Sequence, residues 1–354
     1  MRGLARWGVV TLVLALMPCV AGRAAGGTGP ATSIAKGTTT LGVTNFKGDR
    51  YPYRLYTPSS YRPGEPLVVV AHGCQTTAAQ EEQITGFDEL ADRNGFVVLY
   101  PEDDALSQHL PGPIKQCFKF FYPPVYFRGF ADTAAIAQMT RSVIRERRID
   151  AQRVYLVGVS GGGLITSASA GAYPDLYAAV GIVESAGDVD GFCLGTGTGI
   201  PVQLSAELAR IAMGPRARVV PLFVMGSTGD LAFPAACEEK ALQQGLRTDN
   251  LVISGSQTAP ISLQPAAVRS GKVPNGRSYT VSTFRDPSGC LIGQQTIIDG
   301  MPHAWPGGSA APQWKGYSDP TAPSGAKTAW NFFKHFTLRG SAMPCATAGG
   351  PALR

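Results

Sequence analysis

From residue 66 to residue 71 the chain reads Pro-Leu-Val-Val-Val-Ala without a polar interruption, the pattern of a strand covered on both faces. Similar apolar runs at 96–100, 154–157, 178–183 and 219–225 predict further buried strands. Between them the period changes. At 131–147, Ala134, Ile136, Met139, Val143 and Ile144 fall on one side of a helix, and helical stretches are also expected at 77–94, 164–172, 203–213, 235–246 and 327–336. Segments 39–45 and 51–57, joined by turn residues 47–50, predict an opening hairpin, and 279–284 and 291–298 two more strands. Residues 257–277 read as a long polar surface loop. Strands alternating with helices imply one α/β domain, a mostly parallel central sheet with helices on both faces.

The ends carry a different pattern. Arg2 and Arg6 precede an apolar stretch at 7–16, then Pro18 and small residues up to Ala25, which reads as a signal peptide too short to span a bilayer. Residues 1–25 are therefore expected to leave, 26–40 to form a flexible segment, 41–340 the catalytic domain and 341–354 a C-terminal tail. Pro18 before Cys19 makes a poor lipoprotein cleavage box, so a secreted protein, extracellular or periplasmic, without a stable membrane anchor is expected. Removing Arg2, Arg6 and Arg23 leaves 28 of 31 basic residues against 25 acidic ones, so +6 becomes +3. That charge, with no basic run interleaved with aromatics, gives no indication of nucleic acid. Cys74, Cys117, Cys193, Cys237, Cys290 and Cys345 remain, an even count that favours three disulfides in an exported protein. No cysteine or histidine cluster has metal spacing, so neither a metal nor another cofactor is expected.

Gly158, Ser160 and Gly162 fit G-x-S-x-G, but a chain with 43 glycines in 354 residues meets that pattern by chance about 0.4 times. Position adds weight. A short apolar strand, a glycine-flanked serine and a helix of small residues make a nucleophile elbow. A serine hydroxyl needs a histidine to take its proton and a carboxylate to orient that histidine, and on such folds the order is serine, acid, histidine. Of four histidines, His72 and His109 precede Ser160 and His335 lies among Phe332, Phe333 and Phe336 in a helix. His303 follows strand 291–298 in a loop with glycine and proline, and is the favoured base. Asp230, after strand 219–225, is the favoured acid, although it could equally cap the next helix. Asp286 is the rival, in the turn Asp-Pro-Ser-Gly. Backbone N–H groups of Cys74 and Gly161 are the candidate oxyanion donors.

Together VVVAHGCQTT, ADRNGFVVLYPE, CFKFF, RVYLVGVSGGG with YPDLYAAVG, and PHAWPGG closing on TAWNFFKHF resemble the secreted polyhydroxybutyrate depolymerase and feruloyl esterase family of α/β-hydrolases, from about residue 53 to 336. The resemblance implies an α/β-hydrolase fold, with Ser160 as nucleophile, Asp230 as acid, His303 as base and the Cys74 and Gly161 N–H groups as oxyanion donors. It also suggests pairing of Cys74 with Cys117; Cys193 with Cys237 and Cys290 with Cys345 are the remaining expectations. Where the family carries cysteine-tryptophan-asparagine-tryptophan, this chain has Cys117, Phe118, Lys119 and Phe120. Phe118, Lys119, Phe120 and Trp305 are thus expected to bind substrate. The expected partner is a polymeric or oligomeric ester of polyhydroxybutyrate type. A lysine beside the scissile carbonyl also suits an anionic polyamide, poly(aspartic acid), whose β-linked backbone has the same spacing. Feruloyl or acetyl esters are a further alternative, and a catalytically dead binding protein the non-enzymatic one.

Overall fold

The computed structural model describes residues 35–104, 107–109, 112, 115–187, 190 and 193–341. The expected signal peptide and residues 342–354 of the expected tail, Cys345 among them, lie outside them. In chain order the elements are β1 (Thr38–Phe46), β2 (Asp49–Thr57), β3 (Leu67–Ala71), α1 (Ala78–Thr85), α2 (Phe87–Asn94), β4 (Val97–Pro101), α3 (Ala131–Arg147), β5 (Val154–Val159), α4 (Gly161–Ala172), β6 (Ala179–Val183), α5 (Val202–Met213), β7 (Leu222–Ser227), α6 (Ala235–Ser254), β8 (Ala267–Lys272), β9 (Ser278–Arg285), β10 (Leu291–Ile298) and α7 (Gly325–Phe333). Ten strands form one sheet in the order β1-β2-β4-β3-β5-β6-β7-β10-β9-β8. Strands β4 through β10 of that order run parallel; antiparallel pairs close both edges.

The apolar runs are long because successive side chains serve opposite cores. From β3, Leu67, Val69 and Ala71 enter a cluster with side chains of α3, α4 and α6, whereas Val68 and Val70 enter a second one with side chains of α1, α2 and α7. β5 divides likewise, Val154 and Leu156 to the first and Tyr155 and Val157 to the second. At roughly 1.5–3 kcal/mol per buried large aliphatic side chain, a polar residue inside either run would forfeit one layer's packing.

Two expectations change. The stretch 77–94 is two helices, not one: Gly86 takes φ 76° between α1 and α2, a left-handed conformation that glycine adopts without strain. The stretch 257–277 contains β8, an edge strand whose Ala267, Val268, Arg269, Ser270 and Lys272 are exposed, so it had no apolar alternation to betray it.

Candidate active site

Strand β5 ends at Val159, and Ser160 makes the turn into α4 at φ 56°, ψ −124°, a conformation avoided by residues with a β-carbon. Three glycines allow it. A Cβ at Gly158 would lie 2.2 Å from the Gly162 carbonyl oxygen, one at Gly162 2.3 Å from the Ala71 oxygen, and one at Gly163 2.4 Å from Ser185 Cβ. The elbow therefore packs directly on the ends of β3 and β6, with the Ser160 N–H bonded to Val183 O at 3.0 Å. The serine hydroxyl is left beside His303, whose Nε2 lies 3.0 Å away.

The acid and the histidine stand on loops after β7 and β10, which are neighbours in the sheet. Those loops are stitched together. Thr228 N–H donates to Ile298 O at 3.0 Å, Gly300 N–H to Thr228 Oγ1 at 2.9 Å, and Ser227 Oγ to Met301 O. Across this seam His303 Nδ1 donates to Asp230 Oδ2 at 2.6 Å. The other oxygen, Oδ1, accepts the N–H groups of Ala232 at 2.6 Å and Phe233 at 2.9 Å, so Asp230 also holds its own turn. Burial raises its proton affinity, but the hydrogen bonds from His303 and the Phe233 N–H help to outweigh that and keep the carboxyl below its ordinary range. The His303 side chain remains 31% exposed, which leaves the serine–histidine edge open to solvent.

On the opposite side of Ser160 lies the loop after β3. A Cβ on Gly73 would sit 3.3 Å from Ser160 Cβ, and one on Gly161 would sit 2.6 Å from Cys74 Sγ. The Gly73 carbonyl accepts from His72 Nδ1 at 2.7 Å and Thr76 Oγ1 at 2.9 Å. Because a trans peptide is planar, fixing that carbonyl aims the Cys74 N–H the other way, and that N–H has no partner among the described residues. Fully buried His72 is itself backed by Glu102 Oε1 at 3.2 Å from Nε2. Burial disfavours the imidazolium, yet Glu102 more than compensates and raises its proton affinity. Gln75 N–H, bonded to Lys115 O at 2.9 Å, and a Cys74–Cys117 disulfide fasten this loop to residues 115–117. A second disulfide joins Cys193 and Cys237.

The remaining candidates are distributed differently from expectation. Phe118 is fully buried, its ring tilted against that of His72 with centroids 4.5 Å apart, and Trp305 is buried against Phe87; neither lines an open surface. Phe120 is buried against the start of α4, its ring 3.4 Å from where a Gly161 Cβ would be, with half-exposed Phe121 packed on it at 5.7 Å. The Lys119 ammonium is not free: it pairs with buried Asp104 and, at 3.1 Å, with fully buried Asp132. Arg128 pairs with Asp175. Asp286 is occupied by its own turn, accepting from Ser288 N–H and Cys290 N–H at 2.9 Å each. His109 is exposed in a short turn. Chain order sets His72 aside as a base because it precedes Ser160, and no motif marks Glu184; a glutamate closing the apolar run 179–183 is the signal available for the latter. Among the described residues, two groups bring ligand-type atoms within 4.8 Å of one another, His72-Glu102-Asp103 and Glu184-Asp230-His303; both His303 nitrogens have hydrogen-bond partners, whereas His72 is bonded through Nδ1 and has its Nε2 only at ion-pair distance from Glu102.

Residues 51–193 match the family described as esterase PHB depolymerase. Among curated proteins, poly(3-hydroxyalkanoate) depolymerase C of Paucimonas lemoignei is 34% identical over 138 residues, 38% of this chain and 32% of that protein. Feruloyl esterase B of Thermothelomyces thermophilus is 30% identical over 126 residues, 35% of this chain and 40% of that protein. The matched stretch is thus well under half of each relative's length. The solved acetyl xylan esterase from Aspergillus awamori superposes with a TM-score of 0.59 at 17% identity, covering 78% of this chain and 97% of that one, a likeness of fold. Residues 51–193, which include the turn at Ser160 and the loop after β3, are similar to the esterase PHB depolymerase family, and the chain carries an α/β-hydrolase fold.

Proposed function

We propose that this protein is an exported, cofactor-free serine hydrolase that cleaves ester bonds of polyhydroxybutyrate-type polymers or oligomers. The observation that carries the reading is the unbroken line from Ser160 Oγ to His303 Nε2 at 3.0 Å and from His303 Nδ1 to Asp230 Oδ2 at 2.6 Å. His303 takes the Ser160 proton as Oγ attacks the ester carbonyl, and the carbonyl π electrons move to oxygen, where the Cys74 and Gly161 N–H groups receive the charge. The C–O bond then breaks and His303 returns the proton to the leaving alkoxide. Water, deprotonated by the same imidazole, attacks the acyl-enzyme and releases the carboxylic acid and Ser160. Asp230 stabilises the imidazolium in both halves.

A neutral rather than an anionic polymer is favoured by Lys119, whose charge is already shared by Asp104 and Asp132, and by the apolar Phe120–Phe121 pair beside Gly161. Export is supported by the two disulfides. Replacing Ser160 by alanine should abolish hydrolysis of hydroxybutyrate oligomers and leave the circular dichroism spectrum unchanged; undiminished turnover would end the proposal. Offering poly(3-hydroxybutyrate) oligomers, methyl ferulate, acetylated xylan and poly(aspartate) side by side tests the substrate. Faster release from poly(aspartate) than from the oligomers would overturn the neutral-polyester reading.

A further inference from the structure

At the end of β6, behind Asp230, lies a carboxyl that this chemistry does not use. Glu184 is fully buried. Its backbone stands at φ 44°, held by its N–H on Met225 O at 2.7 Å. No N–H or hydroxyl among the described residues reaches either of its carboxyl oxygens. Its ionisable surroundings are Asp230, His303 and Glu238: atoms of Glu184, Asp230 and His303 lie within 4.8 Å of one another, and Glu238 is close enough to add to the charge.

Two buried carboxyls this close and without an intervening cation do not both stay ionised. The donors decide which one does. Asp230 collects two backbone N–H groups and the imidazole; Glu184 collects none. Its one way of satisfying a buried oxygen beside a carboxylate is to carry a proton and give it to that carboxylate. We propose that Glu184 is a neutral carboxylic acid whose O–H donates to Asp230, a positioning residue that holds the catalytic acid in place while leaving a single negative charge behind His303. Burial, then the neighbouring carboxyls, push its proton affinity well up, and burial raises Glu238 to about 10, so neither adds charge at neutral pH. Full burial keeps Glu184 away from substrate.

This inference rests on the reading of Ser160, His303 and Asp230 as the reacting line, and its test separates the two. Infrared difference spectra of folded wild type against Glu184→Gln, at neutral pH, read the protonation of one side chain without reference to turnover. Loss of a protonated-carboxyl band is expected; loss of a carboxylate band overturns the proposal whatever Ser160→Ala does to activity. Turnover supplies the second reading. Glu184→Gln keeps a donor and should retain kcat/KM within about threefold, with the acidic limb of its pH profile unmoved. Glu184→Met fills the volume but gives no donor, so kcat should fall about 10- to 100-fold, as for a lost hydrogen bond to a charged group. Its acidic limb should move to higher pH, because an unsolvated Asp230 favours the imidazolium more. If Glu184 were ionised, both variants would move the limb to lower pH by removing a negative charge; if it only filled space, neither would move it. Either outcome overturns the proposal, and Glu184→Gln decides alone should Glu184→Met not fold.

Discussion

Ser160 stores strain at the turn from β5 into α4. A non-glycine residue at φ 56° costs on the order of 1–3 kcal/mol, and the packing around it is so close that a Cβ at Gly158, Gly162 or Gly163 would lie 2.2 to 2.4 Å from a neighbouring atom. Lys119 is a different case, a residue whose sequence position suggested substrate contact and whose surroundings make it structural. It bonds Asp104 and Asp132, carboxylates at 3% and 0% side-chain exposure, and its own side chain is only 17% exposed. Removing it strands both charges. Lys119→Met should therefore lower the unfolding free energy in urea titrations by about 3 kcal/mol, and leave the ratio of neutral-ester to polyanion cleavage where it was. A selective loss of polyanion cleavage in a fully stable variant would refute this. The surroundings of His72 and Glu184 were illegible in the sequence for one reason: each is set by contacts with residues distant in the chain, Glu102 for one and Asp230 and His303 for the other, and no local spacing records such contacts.

Elements were read more faithfully than their joints. Strands β3, β4, β5, β6 and β10 and helix α3 stand within a few residues of their apolar patterns, because burial on one or both faces dictates those patterns. The break at Gly86 escaped, since Phe87 and Ala91 on α2 and Ala78, Glu81 and Ile84 on α1 are buried at spacings that read as one helix. The joint between the loop after β3 and residues 115–117 matters most for the proposed hydrolysis, because Cys74 carries a candidate oxyanion donor. It is made by Gln75 N–H, bonded to Lys115 O and Gln116 O, and by the Cys74–Cys117 disulfide across a separation of 43 residues. Cutting that bond should loosen the Cys74 N–H more than the fold. For the Cys74→Ser/Cys117→Ser variant we expect a loss of about 2–4 kcal/mol of stability and a fall in kcat with KM nearly unchanged, measured at a temperature where the variant is fully folded. The same pair of changes at Cys193 and Cys237 should cost stability with kcat preserved. Equal effects on kcat from both disulfides would count against a special role for the first.

Across the whole molecule, buried carboxyls set the pH dependence of stability. Burial pushes Glu81, Asp88 and Asp249 up to about 8 and Glu238 to about 10, well above the value near 4 of an unfolded chain. These groups bind protons more tightly when folded, so their contribution is complete at about pH 4 and is lost as pH rises through about 8 to 10. Asp104, Asp230 and Asp319 run the other way: burial is outweighed by hydrogen bonds and cations, so each is held below its ordinary range. Their contribution is present above about pH 4 and is lost on further acidification. Calorimetric Tm should therefore peak on the acidic side of neutrality and fall steadily toward pH 9. A Tm that is flat or rising from pH 6 to 9 would contradict these assignments.

The sequence by itself determined the alternation of buried strands and helices, the serine elbow and the order in which Ser160, Asp230 and His303 follow one another. Those are consequences of local sterics and of burial periodicity, which each residue's own side chain writes into the chain. Only the tertiary structure decided that the loops after β7 and β10 are sewn together so that an imidazole reaches both Asp230 and Ser160, that Lys119 turns inward to two carboxylates, and that Trp305 and Phe118 are walled off. Such outcomes depend on which distant groups share a desolvated space, where an unpaired charge or donor is too costly to leave, and that sharing is a property of the packed chain rather than of any stretch of it.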